Sequence, residues 1–457
     1  MALYTGASVS RVDGQPETAE KESPTRISAW LEGHLGKSCL EVSIVSQQFA
    51  QHERVNLQLV LDEMLAEWGG NHQLFGVASA DYDEAVDLAK LLNPATCGKF
   101  HLGAVQYSDF AVAEQEKLSC ADRALFVLQA PEGPMALFIR KHPYSHLPIT
   151  IVELVSPDRS ISERTLRELT RRTNLGRAFR GQVLSLEFDC YRQLEIKFHA
   201  LPKIKRDEII LPREVIERVE RVTIRFSQHA ECLRAARRHL KRGVLLYGPP
   251  GTGKTLSAMY IASQMTGRTV IMLTGGGMCS IETACQLARM LEPTTVILED
   301  VDLIGTEREH QTVGANALLF ELLNEMDGLS EDADLLFILT TNRPDVLEPA
   351  LASRPGRIDQ AIEIPLPDAE CRRRLIDLYA RGLELQVNDL EKVIARTANA
   401  SAAFLREMLR KAALFAAEAN LPGELVVRDE HLELALAELL VAGGALTRSL
   451  LGAARAE

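Results

Sequence analysis

The sequence predicts an α/β chain: a parallel sheet with flanking helices, followed by a small helical lid and preceded by an α+β N-terminal domain. Two observations carry the sheet. Four short runs, Gly243–Tyr247, Thr269–Gly275, Thr294–Asp300 and Asp334–Asn342, are almost wholly apolar and are spaced for crossover helices. Strands of that kind are buried on both faces, as in parallel sheets. The octapeptide Gly-Pro-Pro-Gly-Thr-Gly-Lys-Thr, Gly248 to Thr255, then follows the first run and opens a helix-compatible stretch. A third observation separates the N-terminal part, where hairpin signals replace the strand–helix alternation.

Residues 1–26 are polar, rich in Ser, Thr and Glu, and are expected to form a disordered tail. The N-terminal domain is expected over 27–201. Within Phe49–Trp68, Val55, Leu59, Met64 and Trp68 suit one helical face. The runs ALFVLQA (124–130) and MALFIRK (135–141) flank Pro131-Glu132-Gly133-Pro134 and read as a hairpin. Ile149–Ser156 is a third strand, and Ser162–Arg172 is a capped helix with Glu163 and Arg167 four residues apart. Two strand-like stretches, 181–188 and 193–200, close the domain. Prolines bracket the segment 202–212, which reads as a linker able to act as a lever. The large sheet domain is expected over 213–368, the lid, rich in Ala, Leu and Arg, over 369–440, and a tail over 441–457.

At 457 residues the chain is long enough for about three domains. Its 51 basic and 63 acidic residues leave a net charge of −12, a field that weighs against nucleic acid and favours protein as partner. Eight cysteines are scattered singly, with no Cys-x-x-Cys pair, as expected of thiols in a reducing compartment. The first residues have neither a basic nor an apolar leader region, and no apolar run is long enough to cross a bilayer. These features predict a cytoplasmic protein that uses no membrane.

The chemistry begins at the loop Gly248, Pro249, Pro250, Gly251, Thr252, Gly253, Lys254, Thr255 and Leu256. Its glycines let successive N–H groups turn inward as an anion nest, and the helix behind adds its positive end. Lys254 is placed to reach the β- and γ-phosphates of ATP, and Thr255 to ligate Mg²⁺. Glu299, Asp300 and Asp302 end the third strand beside that loop, where one carboxylate can hold the metal shell and the next can polarise the attacking water. His142 and His146 share the spacing of a zinc helix, but Pro143 and the lack of an adjacent Glu argue against a metalloprotease. The basic runs Arg171–Arg180 and Arg234–Arg242 read as solvated helix faces able to meet acidic partners.

Most of Lys241–Asp368 resembles the AAA family of ring-forming ATPases. Leu322–Leu329 (LLNEMDGL) and Leu335–Asp368 are similar to that family's second region of homology almost residue for residue. The resemblance implies Asn342 as the sensor that orients the lytic water. It implies Arg354 and Arg357 as arginine fingers reaching a neighbouring subunit's γ-phosphate, and Asp327-Gly328 as an intersubunit signalling loop. Three departures stand out. The acidic pair runs Glu299 then Asp300 instead of Asp then Glu, an order shared with the Bcs-type branch. The segment Thr274–Gln286 lacks the aromatic that threading members use to grip a chain, leaving Met278 as the nearest apolar substitute. Asn399 stands where Gly is usual in the lid, a position Asn tolerates because it accepts left-handed backbone angles. The implied protein is a homohexameric, chaperone-like ATP hydrolase that remodels a protein client selected by its N-terminal domain. The alternatives are an ATP-gated binding switch with slow hydrolysis and a loader-type ATPase acting on nucleic acid.

Overall fold

Two sheets, joined through a short apolar seam, organise the protein. The computed structural model describes residues 27–79, 85–142, 149–188, 194–273, 281–302, 316–328, 332–345, 347, 358–419 and 425–439. The N-terminal sheet has six strands in the order β1 (Val45–Phe49), β8 (Thr150–Val155), β7 (Gly133–Lys141), β6 (Ala124–Ala130), β2 (His72–Ser79) and β3 (Phe100–Gly103). All neighbours are antiparallel. Strand β6 is apolar on both faces because both are covered. Phe126 and Leu128 meet the helices Arg54–Glu67 and Arg159–Thr173, whereas Leu125 and Val127 meet the helices Ile27–Leu35 and Leu88–Leu92.

The expected hairpin is present, with Ala130 opposite Gly133, whose φ of 133° suits only glycine. The expected helix at Ser162 starts earlier, because Asp158 accepts a hydrogen bond from the Ser160 amide at 2.9 Å and caps Arg159–Thr173. Its ion pair joins Arg159 to Glu163 at 2.7 Å, in place of the expected Glu163–Arg167 pairing. A separate hairpin, β4 (Gln106–Ala111) with β5 (Lys117–Asp122), projects toward the second sheet. Its Phe110, Val112 and Leu118 pack there beside Val55.

The second sheet runs β10 (Leu194–His199), β9 (Val183–Phe188), β12 (Thr269–Leu273), β13 (Thr294–Leu298), β14 (Leu335–Thr341), β11 (Arg242–Tyr247) and β15 (Gln360–Glu363). The strands from β9 to β15 are parallel, as expected, and β10 turns back antiparallel as an edge.

Two expectations about domain boundaries fail. The stretches assigned to the end of the N-terminal domain are β9 and β10, and they belong to this second sheet: Val183 pairs with Val270, and Leu184 and Leu186 are buried against Val296 and Leu298. The segment 202–212 is not a free linker either. Ile204, Ile209 and Leu211 are buried in the same apolar cluster as Val244, Ile261 and Ile338, so the segment is a docked part of the sheet domain.

The C-terminal unit packs the helices Ala369–Tyr379, Leu390–Arg396, Ala402–Ala419 and Asp429–Ala437 around Phe404, Met408 and Leu432. It also holds a parallel ribbon of β16 (Glu384–Gln386) and β17 (Val426–Arg428), which its helix-rich composition did not announce. Among the described residues no helix is long and apolar enough to cross a membrane.

Candidate functional site

The loop after β11 is shaped by its glycines. Gly248, Gly251 and Gly253 have φ of 148°, 74° and 101°, angles that L side chains rarely adopt. A Cβ at Gly248 would also strike the backbone carbonyl of Ile364. The chain then enters the helix Lys254–Gln264 with its first amides facing the concavity. Lys254 is only 6% exposed, and its Nζ donates to the carbonyls of Gly248 at 2.9 Å and Pro249 at 2.8 Å. Burial pulls its amine below the ordinary lysine range, while Asp300 and Asp302 act to hold the charge. Thr255 and Leu256 stand exposed on the first turn.

The acidic strand end arrives directly opposite. Asp300 has a left-handed φ of 47°, and its amide donates to Thr340 Oγ1 at 3.0 Å. Asn342 Nδ2 donates to Asp300 Oδ1 at 3.2 Å. Asn342 is itself fixed from below, because Asp302 Oδ1 accepts from the Asn342 amide at 3.2 Å and from Thr341 Oγ1 at 2.7 Å. The three residues therefore form one wired unit at the ends of the adjacent strands β13 and β14.

Glu299 differs from its neighbour. It is half-buried and set behind the cleft that Asp300 and Asn342 line, and its Oε1 is buried without a hydrogen-bond partner. Burial raises its carboxyl above the ordinary range, and the Asp300 charge raises it further. A buried, unpartnered carboxylate oxygen carries a desolvation cost that a divalent cation would relieve. The donor set of Thr255 hydroxyl and Glu299 carboxylate is the hard-oxygen type that suits Mg²⁺.

Lys254, Thr255, Asp300 and Asn342 share a cleft of about 790 Å³ between the sheet domain and the lid, with Glu299 behind it. One wall is the glycine loop. The other carries an apolar patch, built by Ile209, Ile210, Leu375 and Tyr379 with Ala402 and Ala403 from the lid helix, beside the charged Arg406, Glu407 and Arg410. The polar half suits a polyphosphate and the apolar half a flat base. Ile209 and Ile210 sit in the segment read as a linker, and no motif marks Tyr379, so sequence reasoning missed this wall. The two isoleucines between prolines were the available signal.

The lid touches the loop directly, since the Ala403 amide donates to the Gly251 carbonyl at 3.0 Å. A Cβ at Gly251 would lie 2.8 Å from both Ser401 Oγ and Ala403 Cβ. Asn399 has φ of 64°, the left-handed angle expected of a residue standing in for glycine. Arg289 donates to the Glu325 carbonyl at 3.5 Å and lies beside Gly328, so the helix Ile281–Met290 bears on the Asp327-Gly328 corner.

Arg354 and Arg357, Met278 and His146 lie outside the described residues. Among the described residues no group of three or more His, Cys, Asp or Glu side chains could hold a metal ion.

Residues 244–366 match AAA, the ATPase family associated with various cellular activities. The chain is 37% identical over 187 residues to the proteasome-activating nucleotidase of Pyrococcus horikoshii, which covers 38% of this chain and 47% of that protein. It is 36% identical over 209 residues to the ATP-dependent zinc metalloprotease FtsH of a Synechococcus strain, covering 43% and 33%. With FtsH of Cutibacterium acnes the identity is 32% over 255 residues, covering 53% and 35%. The chain thus spans about half or less of the length of these curated relatives.

Proposed function

We propose that this chain, which carries an AAA-family ATPase module at residues 244–366, hydrolyses ATP and uses the cycle to remodel a protein client. The observation that supports this best is the pairing of Asp300 with Asn342 in one cleft with Lys254. In the reaction, Lys254 and the loop amides bind the phosphates. Mg²⁺, held by Thr255 and Glu299, would neutralise charge on the β- and γ-phosphoryl oxygens. Asn342 and Asp300 orient a water for in-line attack on the γ-phosphorus, and Asp300 accepts its proton as the bond to the β–γ bridging oxygen breaks. Arg354 and Arg357 act on the γ-phosphate of the neighbouring protomer in a homohexamer, since a guanidinium stays charged and forks onto phosphate oxygens. The N-terminal domain selects the client, and the protein works in the cytoplasm.

The test is ATP turnover by the intact protein and by Asp300→Asn. The variant should bind ATP, hydrolyse it far more slowly and retain clients in pull-downs. Loss of binding with no change in turnover per bound nucleotide would overturn the assignment.

The order Glu299-Asp300 favours a second reading, an ATP-gated switch in which slow hydrolysis times a domain motion. Turnover too slow to sustain remodelling would select it. Turnover stimulated by nucleic acid would instead select the loader reading, which the net charge of −12 disfavours.

A further inference from the structure

One end of the N-terminal sheet is open where a helix overhangs it. Strand β1 pairs with β8 alone, from Val45 opposite Leu154 to Phe49 opposite Thr150, and it ends the sheet. An edge strand leaves alternate N–H and C=O groups without a ladder partner, and natural proteins blunt such edges with Pro, Lys or a bulge. β1 reads Val-Ser-Gln-Gln-Phe and has no Pro or charge, and Ser46, Gln47 and Gln48 are exposed.

The helix Arg159–Thr173 runs beside this edge and leaves a groove of about 460 Å³, bounded by the first three residues of β1 and, on the helix, by Glu163, Leu166, Arg167, Thr170 and Arg171. Val45 and Phe49 pack in the same apolar cluster as Leu166, so this face of β1 looks toward the helix. A further strand laid along β1 would gain backbone hydrogen bonds and direct every second side chain at Leu166 and Thr170.

Charge narrows the occupant. On a chain of net charge −12, this helix carries five arginines against two glutamates. Glu163 is taken by Arg159 and Glu168 by Arg171 and Arg172. Arg164 reaches Glu132 at 2.9 Å, and Arg172 also reaches Glu67. Arg167 is exposed at the groove and has no carboxylate partner among the described residues.

We propose that the groove between β1 and the helix Arg159–Thr173 binds an extended, acidic segment of a client polypeptide, which adds to the sheet as a seventh strand. This deepens the proposed function by naming the class of client, and a phosphate chain is the poorer fit because it cannot ladder with a strand. The probe is a fluorescein-labelled peptide of alternating Glu and Val, titrated with the full chain and read by anisotropy. The Lys254→Ala variant should bind it equally well, so peptide binding stands or falls apart from the ATPase reading.

Two sister peptides, N-methylated at complementary alternate amides, should split: one keeps its affinity and the other loses about tenfold or more. Replacing Arg167 and Arg171 together by Glu should weaken the acidic peptide about tenfold and reverse its preference over a Lys-Val peptide. No binding of the acidic peptide, indifference to both methylation patterns, indifference to the charge reversal, or displacement by a single-stranded oligonucleotide would each overturn the proposal.

Discussion

Exchanging the two acids, Glu299→Asp with Asp300→Glu, would restore the order usual in AAA proteins, and on sequence grounds alone it should speed hydrolysis. The structure predicts the opposite. Position 300 has φ of 47°, a left-handed angle that costs an ordinary L residue roughly 1–2 kcal/mol. Asp and Asn are enriched there because their short side chains hydrogen-bond locally, and Asp300 is held in addition by a bond it accepts from Asn342 on the neighbouring strand at 3.2 Å. Glu at 300 would lose that tolerance and must fit an extra methylene between Lys254 and Asn342. The exchanged protein should therefore be about 1 kcal/mol less stable in a urea titration. Displacing the carboxylate by about 1 Å should lower steady-state ATP turnover roughly 10²-fold. Asp300→Asn separates the two effects: it keeps the backbone angle, so stability should hold, while turnover falls about 10²- to 10⁴-fold with the loss of the base. An exchanged protein as stable as the parent and faster in turnover would refute the reasoning.

Lys254→Ala should cost about 2–5 kcal/mol of ATP binding by calorimetry, and unchanged affinity would remove the loop from the site. Replacing Arg354 and Arg357 together by Ala should leave nucleotide binding intact, reduce turnover by about 10³ or more and poison mixed assemblies with wild-type protein; an effect on binding alone would contradict a role in a neighbouring site. Because Ile204, Ile209 and Leu211 are buried, Gly/Ser replacement of 202–212 should lower stability by about 2–5 kcal/mol per isoleucine or leucine truncated and impair hydrolysis, whereas a free lever would spare both. His52 faces Arg289 and Met290 across the seam between the two sheets, and burial lowers its pKa from 6.5 to about 4. Between those values the folded state holds fewer protons than the unfolded chain, so its contribution is complete above pH 6.5 and disappears as pH falls toward 4; His52→Gln should flatten the stability profile across that window.

How much of this was legible in the sequence depended on whether a local pattern could name its own partner. The glycine loop could, because strand, loop and helix are contiguous and the chemistry needs each residue type in place. The left-handed angle at Asn399 was legible only through the resemblance, because Asn stands there where Gly is usual. Strands β9 and β10 were seen as strands but assigned to the wrong sheet, since alternation identifies a strand without saying what lies beside it. Val183 pairs with Val270 across a long stretch of chain, and nothing local encodes that choice. The segment around Ile209 and Ile210 was misread because prolines at its ends suggested a linker, whereas its apolar residues serve as one wall of the cleft. The opposed environments of Glu299 and Asp300 were also hidden, because adjacent acids at a strand end differ only once the chain turns sharply between them.

The placement of β9 and β10 bears on how this protein can be cut. A fragment beginning at Pro202, the boundary suggested by sequence, would strip both strands from the second sheet and leave β12 as its edge. That edge, Thr-Val-Ile-Met-Leu, has four of its five residues almost wholly buried in the intact chain and carries no charge. Bare apolar edges of this kind recruit other chains, so such a fragment should be recovered as aggregate even though its glycine loop and acidic strand end are complete. A soluble fragment must keep β9 and β10 and therefore start before Val183.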